Sequence, residues 1–322
     1  ESLGAETIIA VTSTINITPI NDIPVMSAGA TLSYTENEAA TVIDNSITIT
    51  DDDDIEIDGG TVTISTGFTT GDILELTTQN DISGIYDSST GVLTISGTAS
   101  LSEYETALQS ITYHSISEDP TIIAGSRIVS WTITDANSES LGAEISTAVT
   151  SSITITPIND APVMSAGATL SYTENEAATV IDNTITITDD DDIEIDGGTV
   201  TISTGFTTGD ILELTTQNDI SGIYDSSTGV LTISGTASLS EYETALQSIT
   251  YHSISEDPTI IAGSRIVSWT ITDANSESLG AEISTAVTST INITPLSDPP
   301  VMSAGATLDY TENEAATVID NT

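Results

Sequence analysis

The residues of this chain that can do chemistry are carboxylates, and they are bunched. Four aspartates run together at Asp51–Asp54, and the run returns at Asp189–Asp192. Around the first run fall Glu36-Asn37-Glu38, Glu103 and Glu105, Asp135, and Asn159-Asp160, each where the residue pattern ends a strand. Consecutive carboxylates in a folded loop repel one another unless a cation lies among them. Calcium takes about six to eight oxygen ligands from carboxylates, amide carbonyls and backbone, and these clusters supply that set. Zinc asks for His or Cys, and the chain has two His and no Cys. The Asp51–Asp54 run and the linker aspartate therefore read as Ca²⁺ ligands. Asp72, Glu75, Glu118 and Asp119 read as solvated acidic surface.

These clusters recur because the chain repeats itself. VMSAGATL begins at Val25, Val163 and Val301, a period of 138 residues. The stretches 25–162 and 163–300 differ at six positions: Ser46/Thr184, Ser152/Thr290, Thr154/Asn292, Ile158/Leu296, Asn159/Ser297 and Ala161/Pro299. Residues 1–24 match the end of a repeat and 301–322 the start of one, so the chain is expected to be a window onto a longer protein. A 138-residue unit is large enough to bury its own core, and each repeat is expected to be a domain. Each full repeat carries 21 Asp and Glu against a single Arg, Arg127 or Arg265, within a net charge of −47 for the chain. That charge excludes ordinary nucleic-acid binding, which needs a basic surface, and disfavours anionic membranes. Hydrophobic content of 38% argues for a folded chain. Folding at this charge calls for bound cations, high salt, or both. Without cysteine there is no disulfide, and the stabilisation expected of a secreted prokaryotic protein must come from elsewhere. No apolar run is long enough to insert in a membrane.

The elements that carry the clusters are strands. Period-two runs rich in Thr, Ile and Val occupy Thr31–Thr35, Thr41–Ile43, Ile47–Thr50, Thr61–Ser65, Ile73–Thr77, Ile82–Tyr86, Val92–Ile95, Ile111–His114, Arg127–Thr134 and Val149–Thr156. Turn residues separate them at Asp58-Gly59-Gly60, Thr70-Gly71-Asp72 and Asp87–Gly91. One helix is predicted over 101–109, capped by Ser100 and Glu103, with Leu101, Tyr104 and Leu108 at helical spacing. Many short strands and one helix per repeat make an all-β chain of tandem Greek-key sandwiches. Val129, Trp131 and Ile133 are expected in the core and Arg127 at its rim. The linker Thr156–Pro162 holds two prolines and no glycine, a stiff connector.

The phrases TENEAATVID, YDSSTGVLTISGTASLSEYETALQSITY and TPINDAPV, in that order, make the repeat resemble a cadherin-type domain. More closely, it is similar to the cadherin-like and bacterial Ig-like extender repeats of giant calcium-dependent surface adhesins, many of RTX type. That resemblance implies calcium at the junctions between domains. Carried over, the first junction uses Asn21, Asp22, Asp51, Asp53 and Asp135. The next uses Glu36, Glu38 and Glu103 or Glu105 from the upstream repeat, Asn159 and Asp160 from the linker, and Asp189, Asp191 and Asp273 downstream. Glu174, Glu176 and Asp298 serve the one after. The linker Asn-Asp-Ala-Pro is poorer in acids than a cadherin linker, and LSEYE stands where cadherins have Asp-Arg-Glu. The resemblance also implies an extracellular, prokaryotic cell-surface setting and a spacer role in adhesion or biofilm formation, with neighbouring repeats as partners. The competing reading is a subunit of a self-assembling filament, sheath or surface layer, its like chains paired through exposed strand edges.

Sharper chemistry finds little support. His114 sits on a predicted strand without a nucleophile-elbow motif, and tandem near-copies multiply length rather than chemistry, so no enzyme is expected. The Thr-x-Thr pairs, such as Thr61/Thr63 and Thr132/Thr134, suit an ice-binding array but equally the outward face of any half-exposed strand. The sequons at Asn16 and Asn292 matter only in a host that N-glycosylates.

Overall fold

β-Branched side chains have restricted χ1 and pack well on a pleated, half-buried surface, and the alternation of Ile, Val and Thr here produces strands throughout. The computed structural model describes residues 1–322 except 2, 5, 6, 138, 139, 276, 277, 321 and 322; the last two, from the expected 301–322 segment, lie outside the described residues. The chain forms two compact units, Glu1–Ile158 and Asn159–Thr322.

In the first unit the elements are β1 (Val25–Ser27), β2 (Thr31–Thr35), β3 (Thr41–Val42), β4 (Thr48–Thr50), β5 (Glu56–Thr66), β6 (Asp72–Glu75), β7 (Ser83–Asp87), β8 (Val92–Ser100), α1 (Leu101–Gln109), β9 (Thr112–Ser115), β10 (Ser126–Asp135) and β11 (Val149–Thr156). One sheet runs β2-β11-β10-β5-β8-β7, a second β3-β9-β6, and β1 pairs with β4. The chain crosses repeatedly between the two larger sheets, giving the expected Greek-key β-sandwich. Strand β2 pairs parallel to β11, from Thr31↔Ser152 to Thr35↔Thr156, so the first long strand and the last lie side by side. The second unit has the same elements and the same strand order.

Both sheets contribute to one core, which includes Tyr34, Ile57, Val62, Leu93, Val129, Trp131 and Ile133 from the larger and Leu74 and Tyr113 from the smaller. The rings of Tyr34 and Tyr113 meet edge to face at 5.0 Å, a favoured aromatic geometry. Helix α1 buries Tyr104, Ala107 and Leu108, and the Glu103 carboxylate accepts hydrogen bonds from the Ser100 N–H and hydroxyl, as the capping pattern predicts.

Three expectations need correction. Arg127 is not at the rim: it is fully buried, and so is Asp72, which does not belong to the solvated surface. Arg127 Nε donates to Asp72 Oδ2 at 2.6 Å and Nη2 to Oδ1 at 3.1 Å. A lone cation in so acidic a chain finds a carboxylate, and strand alternation places position 127 on the inner face with Val129 and Trp131. Asp58-Gly59-Gly60 is not a turn. It lies inside β5 at a bulge opposite β8 and β10. Glycine is needed because a Cβ on Gly60 would come within 2.4 Å of the Thr132 carbonyl oxygen.

Candidate metal centre

Two groups of carboxylates lie at opposite ends of β10. The first gathers where β10 finishes, in the loop between β4 and β5. Asp51 Oδ1 accepts the backbone N–H groups of Asp53 and Asp54 at 3.1 and 3.0 Å, an Asx turn that folds the acidic run back on itself. Asp53 Oδ2 accepts the Asp22 N–H at 3.0 Å, and Asp135 Oδ2 accepts Asn21 Nδ2 at 2.9 Å. The structure thus brings Asn21, Asp22, Asp51, Asp53 and Asp135 together, five residues named from sequence. It adds Asp54, buried beside them. Asp51 Oδ2 and Asp53 Oδ1 are left buried with no hydrogen-bond partner.

The second unit repeats the arrangement. Asp189 accepts from the N–H groups of Asp191 and Asp192, Asp191 Oδ2 accepts the Asp160 N–H at 3.0 Å, and Asp273 Oδ2 accepts Asn159 Nδ2 at 2.8 Å. Asp189 Oδ2 and Asp191 Oδ1 are again buried without a partner. Burial, followed by the neighbouring Asp191 side chain, pushes the Asp189 carboxyl up to about 7. Asp51 and Asp273 are also raised, chiefly by burial.

The second group sits where β10 begins. In the second unit Glu174 is 2% exposed; its Oε2 accepts the Leu296 N–H at 2.7 Å while Oε1 is buried without a partner. Carboxylate oxygens of Glu174, Glu256 and Asp298 all lie within 4.8 Å of one another. In the first unit Glu36 Oε2 accepts the Ile158 N–H at 2.8 Å, and Glu36 and Glu118 bring oxygens within 4.8 Å. Glu118 and Glu256 come from the loop between β9 and β10, which sequence reasoning assigned to the solvated surface. Nothing in their spacing separates them from a solvated acid such as Glu75.

The remaining named acids lie elsewhere. Glu103 and Glu105 are on α1, Glu103 closing the capping box and Glu105 accepting the Ile49 N–H at 3.3 Å. Glu38 and Glu176 are exposed and close the turn after their strands by accepting the Thr35 and Thr173 N–H groups. Both groups offer oxygen donors alone, the set that suits a hard cation such as Ca²⁺. Buried carboxylate oxygens without donors are costly as anions unless a cation or proton joins them.

That cost has a sign. A carboxyl raised from 3.8 to about 7 in the folded state favours the fold while protonated and loses that contribution as pH climbs through the folded value. In chelator, melting temperature is expected to fall between pH 3.8 and about 7. The increment from added Ca²⁺ should grow over the same interval, because the metal needs the ionised ligands. A calcium increment equal at both ends of the range would contradict this.

Comparison with known proteins places these features in context. No family model matches the chain. Halomucin of Haloquadratum walsbyi (strain DSM 16790 / HBSQ001) is 36% identical over 108 residues, a stretch equal to 32% of this chain and 1% of Halomucin. Extracellular cadherin domains 1–5 of protocadherin gamma B2 align with a TM-score of 0.36 at 12% identity, covering 86% of this chain and 41% of that one. Human protocadherin-24 domains 1–2 align with a TM-score of 0.30 at 10% identity, covering 87% of this chain and 100% of that one.

Proposed function

We propose that this chain is an extender segment of an extracellular surface protein, made of β-sandwich repeats that Ca²⁺ stiffens at the acidic ends of each repeat. The observation that carries the reading is the Asp51–Asp54 loop and its copy, where two carboxylate oxygens per repeat are buried without a donor. The stretch shared with Halomucin agrees with an extracellular setting. In this reading the full repeats 25–162 and 163–300 are the structural units, and the segments 1–24 and 301–322 belong to repeats on either side. Asn21, Asp22, Asp51, Asp53 and Asp135, with their counterparts Asn159, Asp160, Asp189, Asp191 and Asp273, hold the ion at one end. Glu36 and Glu118, with their counterparts Glu174 and Glu256 and with Asp298, hold it at the other. The chain's task is distance, in support of adhesion or biofilm formation by parts of the protein that bind.

Calcium bound by the folded state alone stabilises by about 2.7 kcal/mol at a hundredfold excess over Kd. Calorimetric melting of the 322-residue chain is expected to shift upward in millimolar Ca²⁺ well beyond the shift in NaCl of equal ionic strength. The paired change Asp51→Asn and Asp53→Asn, made with Asp189→Asn and Asp191→Asn, should remove most of that difference. Equal effects of the two salts would leave the acids as a solvated halophilic surface and end the calcium reading.

A further inference from the structure

The acids avoid one face of each sandwich. On the outer side of the larger sheet β2, β11, β10, β5 and β8 present rows of threonine and serine, among them Thr31, Ser152, Thr154, Thr132, Thr61 and Thr94. Burial alternates along each strand, placing these hydroxyls outward and the core residues inward. They are knitted across strands: Thr31 to Ser152 at 2.8 Å, and Thr61 to Thr132 at 2.8 Å. Ile128, Ile85 and Val92 are the apolar residues among them. Among the described residues of these strands, ionised side chains on this side lie at the margin, Glu56 and Asp58 at one end of β5 and Asp87 at the end of β7. Two of the six differences between the repeats fall here, Ser152/Thr290 and Thr154/Asn292, and both exchange one uncharged polar side chain for another.

In a chain of net charge −47 whose two arginines are both fully buried, an approach between copies through the acidic loops sets carboxylate against carboxylate. An uncharged centre with a charged margin is the distribution found in protein interfaces, whose cores are depleted of charge. The hydroxyls both donate and accept, so the face is complementary to itself. Six strands about 4.8 Å apart and about 20 Å long present roughly 600 Å², somewhat below the roughly 800 Å² per partner of a standard interface. We propose that this hydroxyl face is where a second copy of the chain packs, face to face, through weak contacts that each repeat provides and that salt permits by screening the acidic margin. This is packing through a sheet face, distinct from the pairing of strand edges and independent of the cation sites.

Sedimentation velocity of the full chain tests it. Self-association that strengthens with concentration is expected in about 1 M NaCl, where the Debye length is about 3 Å, and should weaken at about 0.1 M. Thr94→Glu with Thr232→Glu, at exposed positions of the face, should weaken that association at least about tenfold, the order expected of a like-charge pair placed in an interface. Ser88→Glu with Ser226→Glu, exposed in a turn outside the sheet, adds the same charge and should leave it unchanged. Thr154→Glu with Asn292→Glu is a second face variant, and circular dichroism verifies that each variant is folded. A monomer at both salt concentrations, or equal weakening by face and turn variants, would overturn the proposal. Association lost on chelation but insensitive to face charge would assign it to the cation sites instead.

Discussion

Arg127→Met is expected to destabilise the first repeat by about 3–5 kcal/mol, the usual cost of leaving a buried charge without its partner. The size follows from what converges there. Asp72 accepts from Arg127 Nε and Nη2, from the Tyr113 hydroxyl at 2.7 Å and from the Thr69 N–H at 2.8 Å. The guanidinium also donates to the carbonyls of Pro120 and Ala124, both at 2.6 Å. One side chain thereby ties β10 to β6 and to the loop that carries Glu118. The second repeat provides an internal control, since Arg265 and Asp210 make the same pair. Calorimetry of the variant should show the melting of the first repeat separate from that of the second and fall by about 10–15 °C, at about 3 °C per kcal/mol for a domain of this size. Adding Asp72→Leu should recover part of the loss by removing the stranded anion, though Tyr113 and Thr69 then lack their acceptor. Melting indistinguishable from that of the unaltered chain would show that the pair contributes nothing.

A loss of about 3–5 kcal/mol is also expected for Asp44→Ala, which takes the acceptor from five hydrogen bonds at once, one of them from the buried Ser151 hydroxyl. Asp44 Oδ2 accepts the Gly29 and Ala30 N–H groups, both at 2.9 Å, and the Ser151 hydroxyl at 2.6 Å; Oδ1 accepts the Ser46 N–H and hydroxyl. Ser151 in turn accepts the Trp131 indole N–H at 3.1 Å, so the network reaches the centre of the core. Asn should rescue only in part: with its oxygen in place of Oδ2 it keeps three of the bonds, but its amide NH2 then faces the Ser46 N–H. Burial pushes the Asp44 carboxyl up, but the bonds from Ser151, Ser46, Gly29 and Ala30 together outweigh it and hold the group well below the ordinary carboxylate range. Its contribution is therefore present above 3.8, the ordinary value, and is lost as pH falls below it. Urea unfolding should show a wide gap between the two proteins at about pH 7 and a narrower one at about pH 3. A gap that does not change with pH would place the loss in packing rather than in the carboxylate.

The fold was legible because its signals are local and repeated. Strand β11 spans the run Val149–Thr156 as read from alternation, and α1 spans 101–109 as read from its cap and spacing. What could not be read was whatever depends on a distant partner. The octapeptide VTSTINIT is a strand at Val287–Thr294, yet at residues 11–18 it is exposed and forms none; pairing decides, and propensity does not. Asp72 looks like any surface acid until β6 is laid beside β9 and opposite Arg127. Glu118 likewise becomes a candidate ligand only through a loop fold that no spacing announces. The Asp51–Asp54 loop was legible because its residues, adjacent in sequence, need only a turn to converge. The substitution Ser46/Thr184 is explained by a bond that either hydroxyl makes: Thr184 donates to Asp182 as Ser46 does to Asp44. Nothing in the structure explains Ile158/Leu296.

The parallel pairing of β2 with β11 sets how a repeat responds to tension. Pulling on a domain from its two ends draws β2 by its N-terminal end and β11 by its C-terminal end. In a parallel pair those ends lie at opposite extremes of the ladder. The hydrogen bonds from Thr31↔Ser152 to Thr35↔Thr156 are then loaded in shear and resist together, where an antiparallel pair pulled from one end would part bond by bond. Each repeat carries such a clamp across its first and last long strands.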